Sequence, residues 1–125
     1  MTRIAVLDDD SQWCFAIKRY LRDRFDVFTF TDTDSFLISP LDSYDLVLMD
    51  FSILPIDGLE LTNGYQVLEK LKRLPDPPLL VLVSGFFSQT DSLMYNKQFP
   101  QADAILTKDL GLDTFVERLQ ALVIP

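Results

Sequence analysis

Histidine is absent from the 125 residues, and that absence removes a large class of reactions. Without it there is no Ser-His-Asp triad and none of the usual His-ligated zinc hydrolase sites. Cysteine occurs once, as Cys14, so a disulfide framework and any CxxC or Cys/His metal cluster are excluded. No apolar run approaches the ~20 residues of a membrane span. Thr2-Arg3 leads directly into a strand-like tetrad rather than a secretory signal. Residence in the cytoplasm, with no membrane contact, is the expectation. Basic residues are few: 11 Lys and Arg against 19 Asp and Glu give a formal net charge of -8. Sequence-independent nucleic-acid binding runs on Lys and Arg contacts to phosphates, so direct nucleic-acid binding is not expected. A basic partner surface suits this charge better. Repeats, low-complexity tracts and linkers are also lacking. Residues 1–125 therefore read as one domain, large enough for a core without disulfide or structural metal.

What the chain has instead is clustered acid. The apolar run Ile4-Ala5-Val6-Leu7 delivers Asp8-Asp9-Asp10, and a second run, Leu46-Val47-Leu48-Met49, ends on Asp50. Two unit charges ~4 Å apart repel by roughly 4 kcal/mol at an effective dielectric of about 20. Folding does not require that cost, so a cation is the natural resolution. Carboxylate, carbonyl and water oxygens are what Mg²⁺ takes, in near-octahedral geometry at ~2.0–2.1 Å. A lone Asp at a strand end is ordinarily a turn or helix-cap residue. Asp8, Asp9 and Asp50 are read together as a metal site because further polar groups share their address.

Apolar spacing predicts strands at Ile4–Leu7, Val27–Phe30, Leu46–Met49, Leu79–Val83 and Ala104–Leu106. Helical signals fall between them. Trp13, Ile17, Tyr20 and Leu21 follow a cap at Asp10 or Ser11, and a short helix around Ser35–Ile38 stops before Pro40. Val67, Leu68, Leu71 and Leu74 form a third helical face, closed by Pro75-Asp76-Pro77-Pro78. A helix around Thr90–Lys97 and another marked by Phe115, Leu119 and Leu122 complete the series. The alternation predicts an α/β fold: a doubly wound five-stranded parallel sheet flanked by five helices, with right-handed crossovers. In open sheets of this class, ligands bind beyond the C-terminal strand ends. Asp8, Asp9, Asp50, Ser84 and Lys108 all lie just past such ends, which makes them one site.

Four segments carry a family signature: Val6-Leu7-Asp8-Asp9-Asp10, Leu48-Met49-Asp50, Val83-Ser84-Gly85 and Leu106-Thr107-Lys108. In this order, at these strand ends, they resemble the receiver domain of two-component response regulators, of the chemotaxis-regulator type, over the whole chain. The resemblance implies a flavodoxin-like sheet of order 2-1-3-4-5. It implies that Asp50 takes a phosphoryl group from a sensor histidine kinase or phosphotransfer protein and carries it as an aspartyl phosphate. It further implies Mg²⁺ held by Asp9 and Asp50, by Asp8 partly through water, and by the backbone carbonyl of Ser52. Lys108 would pair with one phosphoryl oxygen and the Ser84 hydroxyl with another. Such a domain is regulatory and not a turnover enzyme, although it carries phosphoryl-transfer and autodephosphorylation chemistry. Its modification would alter a surface read by a downstream protein target of unknown identity, with a homodimer as one arrangement.

The sequence also departs from that pattern. Asp109 follows Lys108 where the family places Pro. A non-proline cis bond costs ~2.5–4 kcal/mol, so either a trans bond or a strained exception is expected, with Asp109 placed to compete for Lys108. Ile105 stands where the family has an aromatic switch residue, and it offers neither a hydroxyl nor a ring. Asn63, with Gln66 three residues on, has the form of a capping box, and one helix running through Asn63-Gly64 would cost ~1 kcal/mol or more. Phe51–Thr62 therefore reads as an enlarged loop. Readout is expected to pass through this loop and the Phe86-Phe87 segment. Two other functions compete. A phosphorylation-independent interaction module draws support from Asp109 and Ile105. A Mg²⁺-dependent phosphohydrolase resembling the haloacid dehalogenases needs Asp-x-Asp-x-Thr. Asp8-Asp9-Asp10-Ser11-Gln12 has Gln in place of Thr, and the chain leaves no room for a cap domain.

Overall fold

A computed structural model of the chain describes residues 1–50, 63–84 and 102–123. The elements are β1 (Arg3–Leu7), α1 (Ser11–Leu21), β2 (Asp26–Phe30), α2 (Thr33–Leu37), β3 (Leu46–Asp50), α3 (Asn63–Lys72), β4 (Leu79–Ser84), β5 (Ala104–Thr107) and α4 (Leu112–Val123). Single 3₁₀ turns lie at Leu41–Ser43 and Lys108–Leu110. The strands form one five-stranded sheet in the order β2-β1-β3-β4-β5, parallel throughout. Each strand falls within a residue or two of its predicted span. The predicted helix around Thr90–Lys97, the Phe51–Thr62 loop and Phe86-Phe87 lie outside the described residues.

Continuous apolar strands are what a sheet covered on both faces demands, and β3 is buried at every position. Alternate residues feed two cores, because successive side chains point to opposite faces. Ala5, Leu7, Val47, Met49, Leu80 and Leu82 pack with Phe36 of α2 and Val67, Leu68 and Leu71 of α3. Ile4, Val6, Leu46, Leu48, Val81 and Val83 pack with Cys14, Ile17 and Leu21 of α1 and Phe115, Val116 and Leu119 of α4. Ile105 joins the first core, 9% exposed.

Local chemistry starts the helices. The Asp10 carboxylate accepts from the backbone N–H groups of Gln12 and Trp13 at 3.0 and 3.2 Å, so Asp10 rather than Ser11 caps α1. Asp32 caps α2, accepting from the Ser35 N–H at 2.7 Å and its hydroxyl at 2.9 Å. Helix α2 ends at Leu37, leaving Ile38 outside it and 88% exposed. Asn63 lies within helix α3 rather than ahead of it, so it does not have the capping role expected of it. Tyr20 is a second correction: it lies at the edge of the α1 stripe, 41% exposed, while Ile17 and Leu21 are fully buried. Among the described residues no helix is long and apolar enough to cross a membrane.

Candidate metal centre

Register brings the acids together. Strand β1 pairs with β3 in parallel, Leu7 opposite Met49, so the next residues, Asp8 and Asp50, emerge side by side. Asp8 is 1% exposed and Asp50 6%, whereas Asp9 faces solvent. One carboxylate oxygen from each lies within 4.8 Å of the others. On the far side β4 pairs with β5, Ser84 opposite Thr107, which sets the Ser84 backbone and Lys108 at the same end of the sheet. The Ser84 side chain, Gly85 and the Ser52 carbonyl lie outside the described residues.

Lys108 extends from the turn after β5 and sets its Nζ 2.9 Å from Asp8 Oδ2. Asp8 Oδ1 accepts from the Asp10 backbone N–H at 2.9 Å, while the buried Oδ2 is the oxygen that meets Lys108. The contact with Lys108 is an ion pair at hydrogen-bonding distance. Burial pushes the Asp8 carboxyl above its ordinary range; the Asp10 N–H and Lys108 pull it back, and the Asp50 charge raises it further. Cys14 donates its thiol to the Asp8 carbonyl at 3.3 Å. Burial, with Asp8 and Asp10 nearby, moves that thiol up to about 11. A neutral buried thiol is not a nucleophile, so Cys14 serves the packing of α1 on β1.

Asp109 does not compete for Lys108. It accepts from the Thr107 hydroxyl, a partner just two residues away, and the ion pair of Lys108 is with Asp8 instead. Among the described residues no peptide bond is cis, so the Lys108–Asp109 bond is trans rather than the strained exception. Sequence reasoning missed the role of Trp13, read as an apolar-face residue. Its ring lies under the Lys108 ammonium, 4.6 Å from centroid to Nζ, a contact that contributes about 0.5–2 kcal/mol depending on desolvation. The available signal was its place on the first turn of α1, just beyond the acidic run.

The donor set suits a small hard cation. Among the described residues three carboxylates gather beside one ammonium, a charge surplus, and Asp8 Oδ2 is a buried oxygen offset by that single cation. Oxygen ligands of this kind fit Mg²⁺ rather than a thiophilic metal.

No family profile matches the sequence, and no curated protein matches it. Solved structures do. The response regulator DrrB of Thermotoga maritima, an OmpR/PhoB homolog, aligns with a TM-score of 0.74 and 21% identity, over 98% of this chain and 52% of DrrB. The chain thus spans about half the length of DrrB. A CheY-like response regulator receiver domain protein from Methanospirillum hungatei JF-1 aligns with a TM-score of 0.72 and 22% identity, over 98% of this chain and 93% of that one. The N-terminal domain of the nisin resistance regulator NsrR gives 0.75 and 20% identity over 99% of both chains. The structural neighbours are response regulator receiver domains, and at 20–22% identity what they share with this chain is the fold.

Proposed function

We propose that residues 1–125 form a phosphoacceptor receiver domain, with Asp50 as the residue that takes the phosphoryl group. One observation carries this reading: Asp50 lies buried at a strand end with Asp8 and Asp9 carboxylates within 4.8 Å, and the Lys108 ammonium stands beside Asp8. An Asp50 oxygen would attack phosphorus while the bond to the donor breaks, leaving an acyl phosphate on the side chain. The donor is a sensor histidine kinase or phosphotransfer protein. Asp8, Asp9 and Asp50, with the Ser52 carbonyl, are the groups that would hold Mg²⁺. When bound, Mg²⁺ supplies neutralising charge to a transfer that depends mainly on positioning and electrostatics. Lys108 supplies a compact positive charge to one phosphoryl oxygen, and the Ser84 hydroxyl donates to another. Asp10 is committed to capping α1 and is left out of the chemistry. The product is a regulatory state, read by a downstream protein through an altered surface. A homodimer is one form that surface could serve.

The second reading, a phosphorylation-independent interaction module, is favoured by Ile105, which packs in the core and offers no ring to swing outward. Incubation with acetyl phosphate and Mg²⁺, followed by intact mass measurement, separates the two. The wild type should gain one phosphoryl group, and Asp50→Asn, which keeps the size and removes the nucleophile, should gain none. An unlabelled wild type would favour the interaction module. Equal labelling of both proteins would move the acceptor to another carboxylate.

A further inference from the structure

Lys108 is held by more than a carboxylate. Its Nζ lies 2.9 Å from Asp8 Oδ2 and over the Trp13 ring, 4.6 Å from the centroid. The ring is itself braced, and its backbone is anchored. Phe115 of α4 meets it edge-on, with centroids 5.8 Å apart and planes at 79°, and the backbone N–H of Trp13 donates to the Asp10 carboxylate at 3.2 Å, which anchors the main chain from which the ring projects. Phe115 is buried in the core between the sheet and the α1–α4 layer, so the brace does not move with the surface. The neighbour of Lys108 gives it no such support, since Asp109 is exposed and bonded to Thr107. A lysine stem has several rotatable bonds and a point charge that any nearby carboxylate can attract. Asp8, Asp9 and Asp50 present three such choices, their oxygens within 4.8 Å of one another. An aromatic face in contact with the ammonium reduces that freedom.

We propose that Trp13 is the positioning residue for Lys108: its indole face holds the ammonium at the Asp8 side of the carboxylate cluster, where a phosphoryl oxygen would meet it. The consequence for phosphoryl transfer rests on the receiver reading; the clamp itself does not. Attraction to a ring face is electrostatic, so it needs a ring and not merely bulk. Phenylalanine keeps a face, though a weaker one, and leucine keeps only apolar volume.

NMR reads the clamp directly. The Lys108 ε-methylene signals, assigned by their loss in Lys108→Arg, should be shifted upfield by the indole ring current. They should stay partly shifted in Trp13→Phe and return to an ordinary lysine position in Trp13→Leu. The rate of labelling by acetyl phosphate with Mg²⁺ reads the consequence. It should fall about three- to thirtyfold in Trp13→Leu, the span a ring–cation contact covers, and recover largely in Trp13→Phe. In a Lys108→Met background the Trp13→Leu change should cost nothing more. An unshifted Lys108 methylene in the wild type overturns the proposal, as does an equal loss from Trp13→Leu with and without Lys108. A shifted methylene in a wild type that takes no phosphoryl group would sink the receiver reading and leave the clamp standing. Should Trp13→Leu fail to fold, the shifts of the wild type and Trp13→Phe still decide.

Discussion

Asp8 lies 1% exposed among the Asp9 and Asp50 carboxylates, with Lys108 as the cation beside it. Its carboxyl is raised above the unfolded value of 3.8, chiefly by burial. A raised pKa means the folded chain holds this proton more readily than the unfolded chain. The favourable contribution is therefore fully present below 3.8 and is lost as pH rises through the folded value. At neutral pH the ionised group is a cost kept for the site. Asp8→Asn should raise stability at neutral pH by roughly 1–2 kcal/mol, the part of a ~4 kcal/mol repulsion that Lys108 does not offset. That gain should shrink as acid protonates the wild type. Urea midpoints at neutral and acid pH check this. A loss of 3 kcal/mol or more at neutral pH, about the penalty for breaking a buried pair, would mean the Lys108 contact outweighs the crowding.

The element to test is α1, because its cap is the third member of the acidic run. Asp10 resembles a ligand in the sequence, yet its carboxylate is spent on the Gln12 and Trp13 N–H groups. Asp10→Ala should cost ~1 kcal/mol, within the 0.5–2 kcal/mol range of such caps, and Asp10→Ser should restore most of it. Mg²⁺ titrations followed by Trp13 fluorescence should be unchanged in Asp10→Ser and flat in Asp9→Asn. A weakened titration in Asp10→Ser would put Asp10 back among the ligands. The same element shows how far periodicity reaches. Cys14, Ile17 and Leu21 define its buried stripe, and only the neighbouring surfaces decide that Trp13 meets a cation while Tyr20, two turns further along the same edge, meets water.

At the scale of the molecule, the site joins ends of different strands, so a cation there should stabilise the whole fold. A ligand bound only by the native state adds ~2.7 kcal/mol at a hundred times its Kd. For a domain of this size that is a Tm rise of roughly 8–15 °C. Thermal unfolding with saturating Mg²⁺, against NaCl of equal ionic strength, should show this rise in the wild type and none in Asp9→Asn. The same rise in both proteins would mean that Mg²⁺ acts elsewhere.

The sequence by itself determined the strands, their parallel class and the carboxylates that end them. Burial on both faces demands continuous apolar runs, and prolines and caps stop the helices locally. The strand order came from the family resemblance rather than from spacing, and pairing bears it out. Asp8, Asp9, Asp50 and Lys108 were legible as one site because a parallel sheet collects its C-terminal ends on one side. Only the tertiary structure decided how those charges are shared out. Lys108 chooses Asp8 and the Trp13 face, and Asp109 turns to Thr107. Ile105 goes into the core on the α2–α3 side. Each choice among competing partners turns on distances of a few ångströms between elements far apart in the chain, and no local pattern of residues encodes them.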